Sequence, residues 1–141
     1  MKKKKKKDPR DGIWDSEGLR STTFKVEVKS WIANDGRVMD VNAYFHLLWA
    51  YDPEIASERL VGIDFDGMNA QAGTAKAVLR ELCRELSQRL RHGEVGLGHI
   101  VDRWRAQRFE PAGYCPQTNS MITSILDGAA KVLAKRYNIG G

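Results

Sequence analysis

The sequence has few of the residues that build disulfide frameworks, zinc centres or membrane spans. Only Cys83 and Cys115 are cysteines among 141 residues, and they stand too far apart to form a CxxC half-site. A domain of this size folds without a disulfide, and reduced thiols are typical of a cytoplasmic protein. No stretch approaches the roughly 18 apolar residues of a membrane helix, and no signal-peptide core follows the first lysines. We therefore predict a cytoplasmic protein with no metal, cofactor or membrane partner.

Positive charge is concentrated at one end of the chain. The formal net charge is +5, but the first ten residues hold seven Lys or Arg and one Asp, whereas the rest hold 16 basic and 17 acidic residues. Six consecutive lysines repel one another and bury nothing. We predict a flexible arm over residues 1–20, a single domain over residues 21–138 and a short tail over residues 139–141. The lysines of the arm are Lys2, Lys3, Lys4, Lys5, Lys6 and Lys7.

The lysine arm has two interpretations. It could attract nucleic acid nonspecifically through release of counterions. Alternatively, it is a solubilising leader or an extension upstream of the natural start, which is favoured because Trp14 is the only aromatic residue near the lysines.

Two-residue alternation predicts three strands in the first half of the domain. The first begins at Ser21, and Asn34-Asp35-Gly36 is typical of a hairpin turn before the second. The second strand ends at Asp52-Pro53, and the third covers Leu60 to Asp66. The face of the second strand that is expected to lie opposite the core carries Tyr44, His46 and Leu48.

The period then changes to three and four residues, which is typical of helices packed on a core. A long helix is predicted between Thr74 and Gly93, a short one over about His99 to Gln107, and a last one from about Ser120 to Tyr137. Strands followed by helices predict an α+β fold, with a small antiparallel sheet of about three strands and helices on one face.

The candidate ligand site combines arginines with a polar helix start. Arg side chains beside free helix N–H groups are suited to binding a phosphate. Its predicted residues are Arg103, Arg105, Arg108, Cys115, Asn119, Ser120 and Ser124. The alternative is a solvated basic helix face with Asn119 or Ser120 as the N-cap.

No complete catalytic or metal-binding set is recognisable. Asp64 and Asp66 share one strand face, but a hard metal ion needs more oxygen ligands than these two. Cys83 lies on the apolar stripe of the long helix, where packing explains it. Cys115 lies near a helix start, where a thiol pKa can fall, but it lacks a positioned base. We therefore predict no catalytic residues.

Three segments carry a family resemblance. The run Arg108-Phe109-Glu110-Pro111-Ala112-Gly113-Tyr114 resembles the Arg-Phe-Glu-Pro-Ser-Gly-aromatic segment of the C-terminal domain of adenosylcobalamin (vitamin B12)-dependent ribonucleotide reductases. Thr123-Ser124-Ile125-Leu126-Asp127 is similar to the Thr-Ser-Cys-Pro-Asp signature that names the TSCPD domain, and Thr22-Thr23-Phe24-Lys25-Val26 to its opening strand. The chain departs from the family at Ile125-Leu126, where the signature has Cys-Pro.

The resemblance implies an accessory or binding domain in deoxynucleotide metabolism that works with a separate reductase chain. It covers most of residues 21–137 but none of the reductase's catalytic barrel, so it implies no catalysis by this chain alone. Two other functions stay open: a small regulator that binds a nucleotide or nucleic acid, and a structural module that assembles into a homo-oligomer through its second sheet face.

Overall fold

Five antiparallel strands and three helices make up the described part of the chain. The structure, a computed structural model, describes residues 19–33, 35–67 and 73–139. The predicted lysine arm therefore lies outside the described residues, except that Arg20 begins the first strand. None of the described helices is long and apolar enough to cross a membrane. In chain order the elements are β1 (Arg20–Ile32), β2 (Val38–Asp52), β3 (Ser57–Gly67), α1 (Gly73–Arg91), α2 (Leu97–Trp104), β4 (Gly113–Cys115), β5 (Ser120–Ile122) and α3 (Ile125–Arg136).

The sheet has the order β3-β2-β1-β4-β5, with every pair antiparallel. This confirms the predicted α+β class and the hairpin between β1 and β2, where Gly36 has a φ of +84°. The predicted number of strands is wrong, because β4 and β5 add a short second hairpin. Each of these strands has three residues, so a two-residue alternation is too short to recognise in the sequence.

The last helix begins five residues later than predicted. Ser120 is the first residue of β5, where it pairs with Cys115, and so it cannot begin a helix. Ser124 is the N-cap of α3, and its Oγ accepts a hydrogen bond of 3.0 Å from the Asp127 N–H. The segment contains several residues that can cap a helix, and strand pairing determines which of them does so.

The core lies on the sheet face that carries Phe45. The Phe45 ring stacks on Phe24 at 5.2 Å between centroids and contacts Trp104 of α2 at 5.8 Å. Gly128 brings α3 close to β1, since a Cβ built there would lie 2.7 Å from a methyl group of Val26. The buried side chains of all three helices join this single core. Tyr44, His46 and Leu48 lie on the opposite face, as the alternation predicts.

Helix α1 packs along the outer edge strand, β3. Ser87 Oγ accepts a hydrogen bond from Ile63 N–H at 2.9 Å and donates one to Ile63 C=O at 2.8 Å. At the end of α1, the Arg59 guanidinium donates to the carbonyl oxygens of Leu90 and Arg91. A cation at a helix C-terminus is favourable. These contacts cover a strand edge that would otherwise be open to pairing with another chain.

Substituting glycines in two helices tests the close approach of α3 to β1. We expect Gly128→Ala to lower the free energy of unfolding by about 1–3 kcal/mol, because the new methyl group overpacks the core. The matched control is Gly98→Ala in α2, where a Cβ has open space; it should be neutral or stabilising by up to about 1 kcal/mol. Urea unfolding measures both, and equal effects would contradict the tight contact at Gly128.

Candidate functional site

The residues of the predicted ligand site lie in different elements of the structure. Arg103 is in the last turn of α2, Arg105 is the C-cap of that helix, and Arg108 lies in the following segment. All three side chains are exposed. The polar residues of the predicted site lie further along the chain: Cys115 ends β4, Asn119 is in the turn, Ser120 begins β5 and Ser124 caps α3.

Each of these polar residues has a partner within the protein. Asn119 Oδ1 accepts a hydrogen bond from the Tyr114 hydroxyl at 2.7 Å. The Ser120 hydroxyl lies 2.8 Å from that of Thr118. The buried Cys115 thiol donates to the Gln117 side chain at 3.5 Å. The turn and the β4–β5 hairpin are therefore held by the same groups that the sequence suggested as ligands.

The N-terminus of α3 contains a buried carboxylate of its own. Asp127 is 2% exposed, and its oxygens accept hydrogen bonds from Ala106 N–H at 2.8 Å and Thr123 N–H at 3.0 Å. Lys131 Nζ lies 3.2 Å from the same carboxylate. Burial raises the pKa of Asp127, but the two backbone donors and Lys131 outweigh it, so the pKa lies below its usual value. A phosphate at this helix start would meet a negative charge.

A groove between α1, α2 and α3 is lined by arginine side chains. The sequence predicted such positive charge at the start of α3. The volume of the groove is about 260 Å³, and Arg103 is the predicted site residue that lines it. Arg105 and Arg108 are not part of its lining. The complete lining consists of Leu82, Glu85, Leu86, Arg89, His99, Arg103, Trp104, Gln107 and Leu126.

Sequence reasoning missed Arg89 and His99 as candidate residues. Arg89 follows Glu85 by four residues, a spacing that favours an ion pair on a helix surface, but within the described residues no ion pair joins the two. The available signal was the position of Arg89 three residues after Leu86, at the border of the apolar stripe. The spacing of residues along α1 does not show which helix packs beside that border, because this depends on the tertiary structure.

A second, more apolar groove of about 210 Å³ lies at the opposite sheet face, between that face and α1. Beside it, His46 joins two strands through its ring nitrogens: Nδ1 lies 3.0 Å from Thr23 Oγ1 and Nε2 lies 3.3 Å from Asp66 Oδ2. The Asp66 side chain is 59% exposed, and water weakens exposed pairs of this kind. Across residues 19–33, 35–67 and 73–139, no three His, Cys, Asp or Glu side chains are grouped to hold a metal ion.

Both cysteines are buried thiols. Burial raises the pKa of Cys83 to about 12, and the nearby negative charge of Asp64 adds to the rise. Cys115 has no exposed surface and packs in the same core as Cys83. The thiolate is the reactive form of cysteine, and neither thiol is open to a reagent in the folded state.

We expect the Asp127→Asn variant to lose about 1–3 kcal/mol of stability at pH 7, because one buried N–H donor then faces an amide group. The folded-state pKa of Asp127 is lowered, so the carboxylate stabilises the protein above the unfolded pKa of about 3.9. This contribution fades as pH falls through the folded pKa. Urea unfolding from pH 7 to pH 2 should therefore show the wild-type and variant curves converging in acid. The curve of the exposed control Asp102→Asn should keep the same separation from the wild-type curve at every pH. Wild-type and Asp127→Asn curves that stay parallel down to pH 2 would contradict the assignment of this stabilisation to the Asp127 carboxylate.

Thiol reactivity tests the burial of the two cysteines. With Ellman's reagent at pH 8, the folded chain should react at least about 100-fold more slowly than the same chain in guanidinium chloride, because only the unfolded chain exposes its thiols. The single variants Cys83→Ala and Cys115→Ala show which of the two thiols causes any reaction that is still seen in the folded chain. A rapid native reaction at Cys115 would show that this thiol is accessible.

Comparison with known proteins gives no relative of this chain: no family model, no curated protein and no solved structure matches it. The resemblance to the TSCPD domain therefore depends on its three short segments alone.

Proposed function

We propose that this chain is a TSCPD-like accessory domain that binds an adenosylcobalamin-dependent ribonucleotide reductase and is non-catalytic by itself. The observation that carries the proposal is a direct contact between the two segments that resemble the family. Phe109 N–H donates a hydrogen bond of 3.1 Å to Thr123 C=O, and Thr123 Oγ1 donates one of 2.6 Å to Gln107 C=O. Two short matches that are separate in sequence thus belong to one structural unit.

Three residues of the first segment contact the rest of the fold. Phe109 packs against the core, Pro111 is buried, and the Glu110 carboxylate accepts a hydrogen bond from the Trp31 indole N–H of β1. A chain without catalytic residues would still need these contacts for its fold, and it would keep the motif for that reason. This supports an accessory role over an enzymatic one.

The outward-facing residues of the same segment provide a surface for a partner. Arg108 is exposed at its start, and Tyr114 is 43% exposed at its end, opposite Met121, which is 67% exposed. Tyr and Arg are the residue types that most often dominate protein–protein binding energy. We assign the reductase-binding surface to Arg108, Tyr114 and Met121.

Reconstitution with the adenosylcobalamin-dependent reductase of the same genome tests the proposal. The full chain should form a complex with the reductase in size-exclusion chromatography and should change its rate or its response to nucleotide effectors. Arg108→Gln combined with Tyr114→Ala should weaken the complex at least about ten-fold, since two central contacts are removed. The charge-matched control Arg80→Gln, on the exposed side of α1, should bind as the wild type does.

Two outcomes would contradict the accessory function. The first is a reductase that neither binds the chain nor changes its activity or nucleotide response in its presence. The second is a complex that Arg80→Gln weakens as much as the double variant does, because binding would then depend on general charge and not on the motif surface.

The groove between the helices favours a second candidate function, a small nucleotide-binding regulator. Arg89 and Arg103 supply positive charge there in a domain that is otherwise close to neutral. Binding of nucleic acid through the lysine arm is a different version of this function and is recognised by its steep loss with salt. Binding in the groove should remain when Lys2 to Lys7 are replaced by serine.

A further inference from the structure

We propose that the groove between α1, α2 and α3 binds a compact phosphate ester, with Arg89 and Arg103 on the phosphate and the apolar floor under the organic part. The inference rests on the second candidate function and names its ligand class, and it is independent of the accessory function because it requires only this chain and a small ligand. It differs from the phosphate site that the sequence predicted at the start of α3, with which it shares Arg103.

The positive charge of the groove is available to a ligand. Arg89 is half-buried in α1, and Arg103 is exposed in α2. Among the described residues, neither guanidinium has a hydrogen bond or an ion pair. Arg59, Arg20 and Arg37 each hold a carboxylate, whereas the exposed Arg80, Arg105 and Arg108 have no such partner among the described residues either. Arg89 and Arg103 differ from those three because they line one groove. Two guanidinium groups from different helices that have no partner in the described part of the chain can bind one phosphate through charge-assisted, bidentate hydrogen bonds.

The other polar residues of the groove agree with an anionic ligand. His99 is half-buried and can donate a hydrogen bond to a phosphate oxygen in either tautomer or when protonated. The Gln107 side-chain amide donates to the Arg103 carbonyl at 2.9 Å, which holds Gln107 against the end of α2. Glu85 is the single carboxylate in the lining, so two guanidinium groups leave a net positive charge even when His99 is neutral.

The floor of the groove supplies apolar contact for a ligand larger than inorganic phosphate. Leu86, Trp104 and Leu126 are each at least 90% buried, and they reach the groove only through the small surface that remains. A volume of about 260 Å³ is just below the roughly 300–1,000 Å³ of sites that enclose drug-sized molecules. A small phosphate monoester with an apolar ring to place on the floor, such as a nucleoside monophosphate, fits this combination of charge, floor and size.

Calorimetric titration of the full chain in 0.15 M salt tests the proposal with three probes: adenosine monophosphate, adenosine and inorganic phosphate. This salt concentration shortens electrostatic range to about 8 Å and so suppresses binding by the lysine arm. Adenosine monophosphate should bind tighter than either of the other probes, because it alone engages both the arginines and the floor. Arg89→Gln and Arg103→Gln should each weaken it about ten-fold, and the double variant more.

The matched control is Arg105→Gln, which removes the same charge two residues from Arg103 but outside the groove. It should bind within two-fold of the wild type. A second readout is the Trp104 indole N–H resonance, assigned with Trp104→Phe, which should shift on adding adenosine monophosphate to the wild type.

Four results would overturn the proposal: no binding of adenosine monophosphate, wild-type binding by both groove variants, equal loss in Arg105→Gln, or inorganic phosphate binding as tightly as the ester. The reductase experiment is independent of these outcomes. An accessory domain without nucleotide affinity refutes only the groove assignment, and nucleotide binding without a reductase complex refutes only the accessory function.

Discussion

The buried carboxylate of Asp127 is the point on which the second half of the domain depends. It accepts backbone N–H groups from the segment after α2 and from the residue after β5, and it pairs with Lys131 one turn further along α3. A buried charge is tolerated only when its hydrogen bonds and countercharge are complete. The carboxylate therefore fixes the end of α2, the return from β5 and the start of α3 relative to one another, and α2 and α3 are two of the three helices that line the groove.

The same carboxylate explains why the predicted phosphate site and the observed groove differ. The sequence placed an anion at the start of α3, on the reasoning that free helix N–H groups attract negative charge. In the structure, Ser124 caps that helix, and Asp127 supplies the negative charge. A phosphate at the predicted position would therefore lie beside the negative charge of Asp127. Arg103 turns instead toward the groove, where Arg89 of α1 supplies the second positive charge.

Long, periodic elements were predictable from the sequence because burial of one face dictates their pattern. The alternation along β2 gave its core face and its end at Asp52, and the three- and four-residue spacing gave α1 to within a few residues. The short β4–β5 hairpin was not predictable, since its pairing depends on β1, which lies far away in sequence. The groove was not predictable for the same reason: Arg89 belongs to α1 and Arg103 to α2, and only the packing of both helices on the common core brings the two residues together.

Charge interactions within the domain are local, so an anion would be attracted by the side chains of the groove itself. A chain whose body is close to neutral has no strong overall field to steer anions. Most arginines and lysines with a described partner are neutralised by a carboxylate, as Arg59 is by Asp52 and Lys29 by Glu27 and Asp40. Arg89 and Arg103 have no such partner among the described residues and lie together over an apolar floor, so they are a stronger indication of a ligand than the larger charge of the lysine arm. Any charge on the arm acts on every polyanion alike, whereas the groove can select by shape.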